Sequence, residues 1–267
     1  MNQEVFTSGS PNKYPERGNI LGVGVSAINM RQALDAIDQW IKTRDPHYVC
    51  VTPAHAVMDC YRSSELRQVY NHSGLTTPDG MAIVWLLKWQ GFRSVERVYG
   101  PDLLLSVCQQ SLSNGYRHYF YGGAPGVAER LSQKLVNKYS SVQIVGLDCP
   151  PFRELTIEED EAAVQRMCAA NPDIVWIGIG SPRQERWMVD HLKRVGSPVM
   201  IGVGAAFDFI SGNKPQAPLW MQKNGLEWFF RLASEPGRLW RRYLLSYPRF
   251  TMLVLLQLMG LKQYPLN

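Results

Sequence analysis

The chain has 267 residues, 45% hydrophobic and 19% charged, so it can bury a large core and falls outside the disordered class. Its length suits one large α/β domain with an appendage. The net charge of +5 is uneven: residues 212–267 carry eight Lys and Arg against two Glu, a charge of +6, which leaves the body at −1 and excludes a uniformly basic nucleic-acid binder.

Residues 1–18 are polar, with Pro11, Pro15 and several Ser, Asn and Gly, and read as a loose arm without the apolar core of a signal peptide. The run over 20–28 reads as a strand, and Ala33, Leu34, Ile37 and Ile41 fall at helical spacing over 30–42. A β-branched run at 48–51 ends at Thr52-Pro53. One helix over 56–70, a short strand at 75–77 and a helix over 81–89 follow. Further on, helices over 102–112, 125–138, 157–169 and 182–193 alternate with strands at 118–121, 142–146, 174–179 and 199–203. Short apolar strands separated by helices predict an α/β fold: a Rossmann-like, mostly parallel sheet with helices on both faces.

The pattern changes after Gly204. Trp220, Trp228, Phe229, Phe230, Trp240, Tyr243 and Tyr247 crowd into helices broken at Gly225, Pro236 and Pro248. The expected organisation is an arm (1–18), an α/β catalytic domain (19–211) and a helical basic appendage (212–267). The apolar stretch at 252–261 is too short to span a bilayer, which takes about 20 residues, and suits a buried or interfacial helix. Five cysteines without a CxxC pair fit a reducing cytosol better than a disulfide framework or a zinc site.

Ligands of such sheets bind outside the carboxyl ends of the strands. The loops there are Thr52-Pro53-Ala54-His55, Thr76-Thr77-Pro78-Asp79-Gly80, the GIGSPRQE run from Gly178 to Glu185, and the run from Gly202 to Asp208. Asp79 stands before a helix and reads either as an N-cap or as a general base. Gly178 and Gly180 let backbone approach a phosphate at a helix start, although GxG alone lacks the dinucleotide fingerprint. The turn at Gly122-Gly123 serves either a tight connection or a ligand. His55 lies far from metal-ligand spacing with another His, and a structural role outweighs a ligand role. Neither a P-loop nor a GxSxG motif is present. The tail arginines with their interleaved aromatics suit a diphosphate or a membrane interface, against a plain solvated face.

Taken together, TTPDGMAIVW, RVYGPDLL, YFYGGAPGVAERL, DIVWIGIGSPRQERWM and the long run GVGAAFDFISGNKPQAPLWMQKNGLEWFFRLASEPGRLWRRYL resemble the WecB/TagA/CpsF glycosyltransferases (glycosyltransferase family 26). The resemblance implies an inverting, metal-independent hexosyltransferase that needs no cofactor. Its substrates would be a UDP-sugar and an undecaprenyl-diphosphate-linked acceptor, in surface-polysaccharide synthesis. It implies Asp79 as base, with Thr52, Arg97 and Gln184 lining the same pocket, and Asp208 at the uracil edge. Arg231, Arg238 and Arg241 would hold diphosphate from an appendage that docks on the anionic inner face of the cytoplasmic membrane. One departure stands out: the family's Thr-x-Asn is Thr52-Pro53-Ala54 here, with His55 next, which leaves the donor sugar open and His55 as a substitute contact. The rival classes are a Rossmann oxidoreductase, which lacks its glycine signature, and a non-catalytic UDP-binding membrane protein.

Overall fold

A computed structural model describes residues 15–266 of the protein. Most of the expected arm lies outside the described residues, and its end is not loose: Arg17–Ile20 forms strand β1. The run expected as one strand is a hairpin, because Leu21 and Gly22 reverse the chain at φ 52° and 86° into β2 (Val23–Ser26). The Asn19 carboxamide oxygen accepts from the Gly22 N–H at 2.8 Å and closes that turn.

Helix α1 (Met30–Thr43) starts in a reciprocal cap between Asn29 and Gln32. Then come β3 (His47–Thr52), α2 (Ala54–Arg62), α3 (Ser64–Asn71), β4 (Leu75–Pro78), α4 (Met81–Trp89), α5 (Gly100–Asn114) and β5 (Arg117–Gly122). They are followed by α6 (Val127–Lys138), β6 (Gln143–Asp148), α7 (Ile157–Ala170), β7 (Ile174–Gly178), α8 (Arg183–His191), β8 (Val199–Gly202) and α9 (Ala206–Ser211). The helix expected over 56–70 is two, since the Ser63 hydroxyl accepts from the Leu66 N–H at 3.2 Å and caps a new start.

Strands β3 to β8 form one parallel sheet in the order β4-β3-β8-β7-β5-β6. Alternate side chains enter two cores. Tyr48, Cys50, Tyr121, Ile177 and Met200 pack with α2, α7 and α8 on one face. Val49, Val51, Phe120, Trp176 and Ile201 pack with α1, α5 and α6 on the other. Burial on both faces explains why the strands read as continuous apolar runs. The buried His118 belongs to this second layer: it accepts from Trp176 Nε1 at 3.0 Å, pairs with Ser111 Oγ at 2.7 Å, and burial lowers its pKa to about 4. The crossovers β5-α6-β6 and β7-α8-β8 leave in opposite directions, so the crevice between β5 and β7 is a topological switch point.

The tail holds α10 (Leu219–Lys223), α11 (Glu227–Ser234), α12 (Pro236–Trp240), a π-helical turn over Arg241–Leu245, and α13 (Ser246–Leu258). Pro248, expected from sequence to break a helix, does not: it lies in the first turn of α13, which continues without a gap from the π-helical turn over Arg241–Leu245. Phe250, Leu253 and Val254 bury into the same core as Val57 and Met58 of α2. Gln257 fastens the N-terminal hairpin, donating to Asn19 O at 3.0 Å and accepting from the Leu21 N–H at 2.9 Å. Helix α13 thus buries Phe250, Leu253 and Val254 on the sheet body, while its Met252 and Leu255 stay exposed. Among the described residues no helix is long and apolar enough to cross a membrane.

Candidate active site

The carboxyl ends of the strands meet along one edge. Thr52 pairs in register with Pro78, Gly122 with Gly178, and Ile177 with Gly202. The turns that leave this edge carry most of the expected site residues.

Asp79 follows β4 directly, its N–H donating to Thr52 O at 3.3 Å. The N-cap of α4 is Gly80, at φ 98°, and no side chain caps that helix. This positive φ is natural to glycine, and it frees the preceding carboxylate from capping. The Asp79 side chain is 14% exposed and accepts from Arg97 Nη2 at 3.4 Å. Thr52 lies fully buried beside it, with its hydroxyl donating to Cys50 O at 2.9 Å. His55 is buried in the first turn of α2.

Arg97 is gripped from several sides. Its guanidinium stacks 3.8 Å from the centroid of the Tyr99 ring and donates through Nη1 to Gln222 Oε1 at 3.2 Å. Nη2 also donates to Glu227 Oε2 in a short ion pair, and Glu227 Oε1 accepts from Tyr99 OH at 3.0 Å. Arg231, one turn along α11 from Glu227, lies over the Phe209 ring at 5.5 Å and acts electrostatically on Asp79. Burial pushes the Asp79 carboxyl up to about 6; Glu227 also raises it, while Arg97 and Arg231 pull it down. A carboxylate in that range is ionised at neutral pH yet more basic than a solvated one, which suits proton acceptance.

On the next loop, Gln184 Nε2 donates to Ser181 Oγ at 3.2 Å and to Glu185 Oε1 at 3.0 Å. Its carboxamide oxygen is buried without a hydrogen-bond partner and lies against the Gly202–Gly204 turn. Gly178 is needed for space, since a Cβ there would lie 2.7 Å from the Phe207 ring. Gly180 takes φ 87° just before the start of α8. Across the switch point, the Gly123 N–H donates to Gly178 O at 3.0 Å and ties the β5 and β7 turns together.

Asp208 lies on α9, next to the Phe209 that carries Arg231, and accepts from Asn213 Nδ2 at 2.6 Å. Lys214 connects it onward, 3.8 Å from Asp208 Oδ2 and 2.9 Å from Glu235 Oε2. Arg238 pairs with the same Glu235 through Nε and Nη2, both at 2.8 Å, and Arg241 rests on Trp240 at 5.3 Å. The structure therefore gathers Asp79, Arg97 and Arg231 into one cluster and places Arg238 and Arg241 on the exposed outer side of the tail. Tyr99, Gln222, Glu227 and Glu185 were not among the individual site residues expected from sequence. Glu227 did carry a signal, as one of two acids in the basic tail. Tyr99 stands two residues beyond Arg97 in the RVYG motif.

Comparison with known proteins agrees with this architecture. The chain is similar to the N-acetylglucosaminyldiphosphoundecaprenol N-acetyl-β-D-mannosaminyltransferases of Bacillus subtilis (strain 168), at 29% identity, and of Bacillus spizizenii, at 28%. Both likenesses run over 187 residues and cover 70% of each protein. Residues 18–264 match the glycosyl transferase WecG/TagA/CpsF family, nearly the whole described chain. The chain belongs to that family and is a sugar-transferring enzyme.

Proposed function

We propose that the protein is an inverting glycosyltransferase that moves a hexose-type sugar from a UDP-sugar to a polyprenyl-diphosphate-linked glycan. The observation that carries this reading is the largely buried Asp79 carboxyl, in contact with Arg97 and under the charge of Arg231, at the carboxyl edge of the sheet. The names of the Bacillus relatives support a lipid-diphosphate acceptor. In the reaction, Asp79 takes the proton of the acceptor hydroxyl as its oxygen bonds to the anomeric carbon. The bond from that carbon to the diphosphate oxygen breaks, and UDP departs with the electron pair. Arg97 and Arg231 stabilise the charge that collects on the diphosphate. The uracil lies toward Asp208, the diphosphate toward the Gly178–Gln184 turn, and Thr52 and Gln184 line the sugar. Arg238 and Arg241 lend their charge when the tail closes further. Ala54 and His55 replace the asparagine that the family resemblance leads one to expect, so the donor sugar is left to a donor panel.

A nucleotide test separates this reading from an oxidoreductase. UDP at about 100 times its Kd adds about 2.7 kcal/mol of stability to a protein that binds it. UDP is expected to raise Tm and NAD to leave it unchanged. The reverse pattern contradicts the proposal.

The tail also supports seating on the inner face of the cytoplasmic membrane, with residues 212–267 as the associating unit and 19–211 as the catalytic one. Leu219, Trp220 and Phe229 are exposed beside Lys223, and the indole of Trp85 on α4, also exposed, lies against Gly225. Such an apolar and basic surface suits an anionic bilayer. Burying one large apolar side chain is worth about 1.5–3 kcal/mol. The double variant Leu219→Ser/Trp220→Ser should therefore weaken co-sedimentation with phosphatidylglycerol vesicles by about tenfold or more. Unchanged sedimentation would remove this surface from the docking site.

A further inference from the structure

We propose that Glu227 is a positioning residue for the transfer: from the tail it holds the Arg97 guanidinium on its own carboxylate, so that Asp79 keeps a long contact to that cation and remains open to the acceptor proton. The inference rests on the reading of Asp79 as the base.

The geometry is a contest between two carboxylates for one nitrogen. Arg97 Nη2 makes a short ion pair with Glu227 and reaches Asp79 at 3.4 Å, beyond the usual 2.7–2.9 Å of a charge-assisted bond. The contest is biased by three further contacts that favour the tail side. Tyr99 OH donates to the second Glu227 oxygen at 3.0 Å, fixing that carboxylate. The Tyr99 ring supports the guanidinium face at 3.8 Å. Gln222, itself anchored by donating to Ala217 O at 2.7 Å, accepts from Nη1 at 3.2 Å. Three of the four groups gripping Arg97 thus fix it away from Asp79, and Gln222 and Glu227 come from the tail.

The chemistry gives this arrangement a purpose. A carboxylate in a close arginine pair loses basicity, by one to three pH units in typical cases. Arg97 must stay near, because its charge is needed on the leaving diphosphate, yet it must not neutralise the base. Sharing it with Glu227 meets both needs. The charged and titratable groups facing Asp79 are Arg97 and Tyr99 before α5, Glu227 and Arg231 on α11, and Tyr247 on α13. Burial keeps both tyrosines protonated well above neutral pH, which leaves the two arginines and Glu227 to set the field at Asp79.

The test uses full-length protein labelled with carboxyl-¹³C aspartate, the Asp79 resonance being assigned by its loss in Asp79→Asn. In the parent the carboxyl is expected to titrate near 6. Glu227→Gln, which removes the competing charge, should lower that midpoint by about one pH unit or more. Glu227→Asp, which retains the charge, should hold it near the parent value. In assays with the productive UDP-sugar, Glu227→Gln should lower kcat, shift the acidic limb of the rate profile by the same interval and leave the donor KM little changed. An unmoved midpoint in a folded Glu227→Gln protein overturns the inference and leaves Asp79 as base untouched. A variant faster than the parent at neutral pH also overturns it, since Glu227 would then be occupying a substrate anion's place. A moved midpoint with an unmoved rate limb overturns the reading of Asp79 as base, and the catalytic purpose of Glu227 with it.

Discussion

Replacing Asp79 by Asn is expected to lower turnover by about 10²- to 10⁴-fold, the usual contribution of a general base, while leaving the protein more stable at neutral pH. The two effects share one cause. Burial raises the carboxyl from an ordinary 3.8 to about 6, so between those values the folded state binds more protons than the unfolded one. Stability from this group therefore falls as pH rises from about 4 to about 6, and the full cost is present above that window. Asn carries no such cost and still offers Arg97 an acceptor oxygen. If about 1 kcal/mol is recovered, Tm rises by about 2–4 °C in a protein of this size. Calorimetry across the pH range checks it: the difference between variant and parent should grow from pH 4 to pH 6.5 and then level off. A variant that loses Tm at pH 7.5 would mean that Asp79 is held as a structural ion pair with Arg97.

Gly122→Ala is expected to be the most damaging single-methyl substitution at the carboxyl edge of the sheet. Gly122 adopts φ 129°, and an added Cβ would stand 2.5 Å from the Gly178 carbonyl carbon and 2.6 Å from its oxygen. Both atoms are backbone, so relief requires β5 and β7 to part at the switch point. Strain at such a φ costs about 1–3 kcal/mol, and overpacking about as much again. A loss of about 3 kcal/mol corresponds to about 6–12 °C in Tm. Separation of the two turns should also weaken UDP binding. Gly237→Ala, where an added Cβ meets no atom within 4 Å, supplies the control and should leave Tm unchanged or raised. Equal Tm values for the parent and Gly122→Ala would show that the crevice is looser than its geometry implies.

The parallel sheet was legible because its inner strands, such as β7 and β8, are buried on both faces and its helices keep their apolar stripes. The hairpin at 17–26 was not, since an apolar run hides a reversal that depends on one glycine and the Asn19 carboxamide. The division at Ser63 was equally quiet, a single hydroxyl cap inside an apolar pattern. At the candidate site, loop position pointed to Asp79 and family resemblance to Arg97 and Arg231, and the structure brings those three together. Residue order is silent about Glu227, which lies 148 positions beyond Asp79 and meets Arg97 only because the tail folds back across the sheet edge. Residue types left the stretch at 252–261 open as buried or interfacial; the structure buries Phe250, Leu253 and Val254 against α2 and leaves Met252 and Leu255 exposed.

The central claim is sugar transfer to a lipid-diphosphate acceptor at the Asp79 site, and acceptor-dependent release of UDP tests it most directly. A panel of UDP-sugars is offered to the purified protein with and without a short-chain polyprenyl-diphosphate N-acetylglucosamine. At least one donor should release UDP only when the acceptor is present, with glycosylated lipid formed in equal amount and release slowed by about 10²- to 10⁴-fold in Asp79→Asn. UDP binding without transfer from any donor, or equal release with and without the acceptor, would contradict the account.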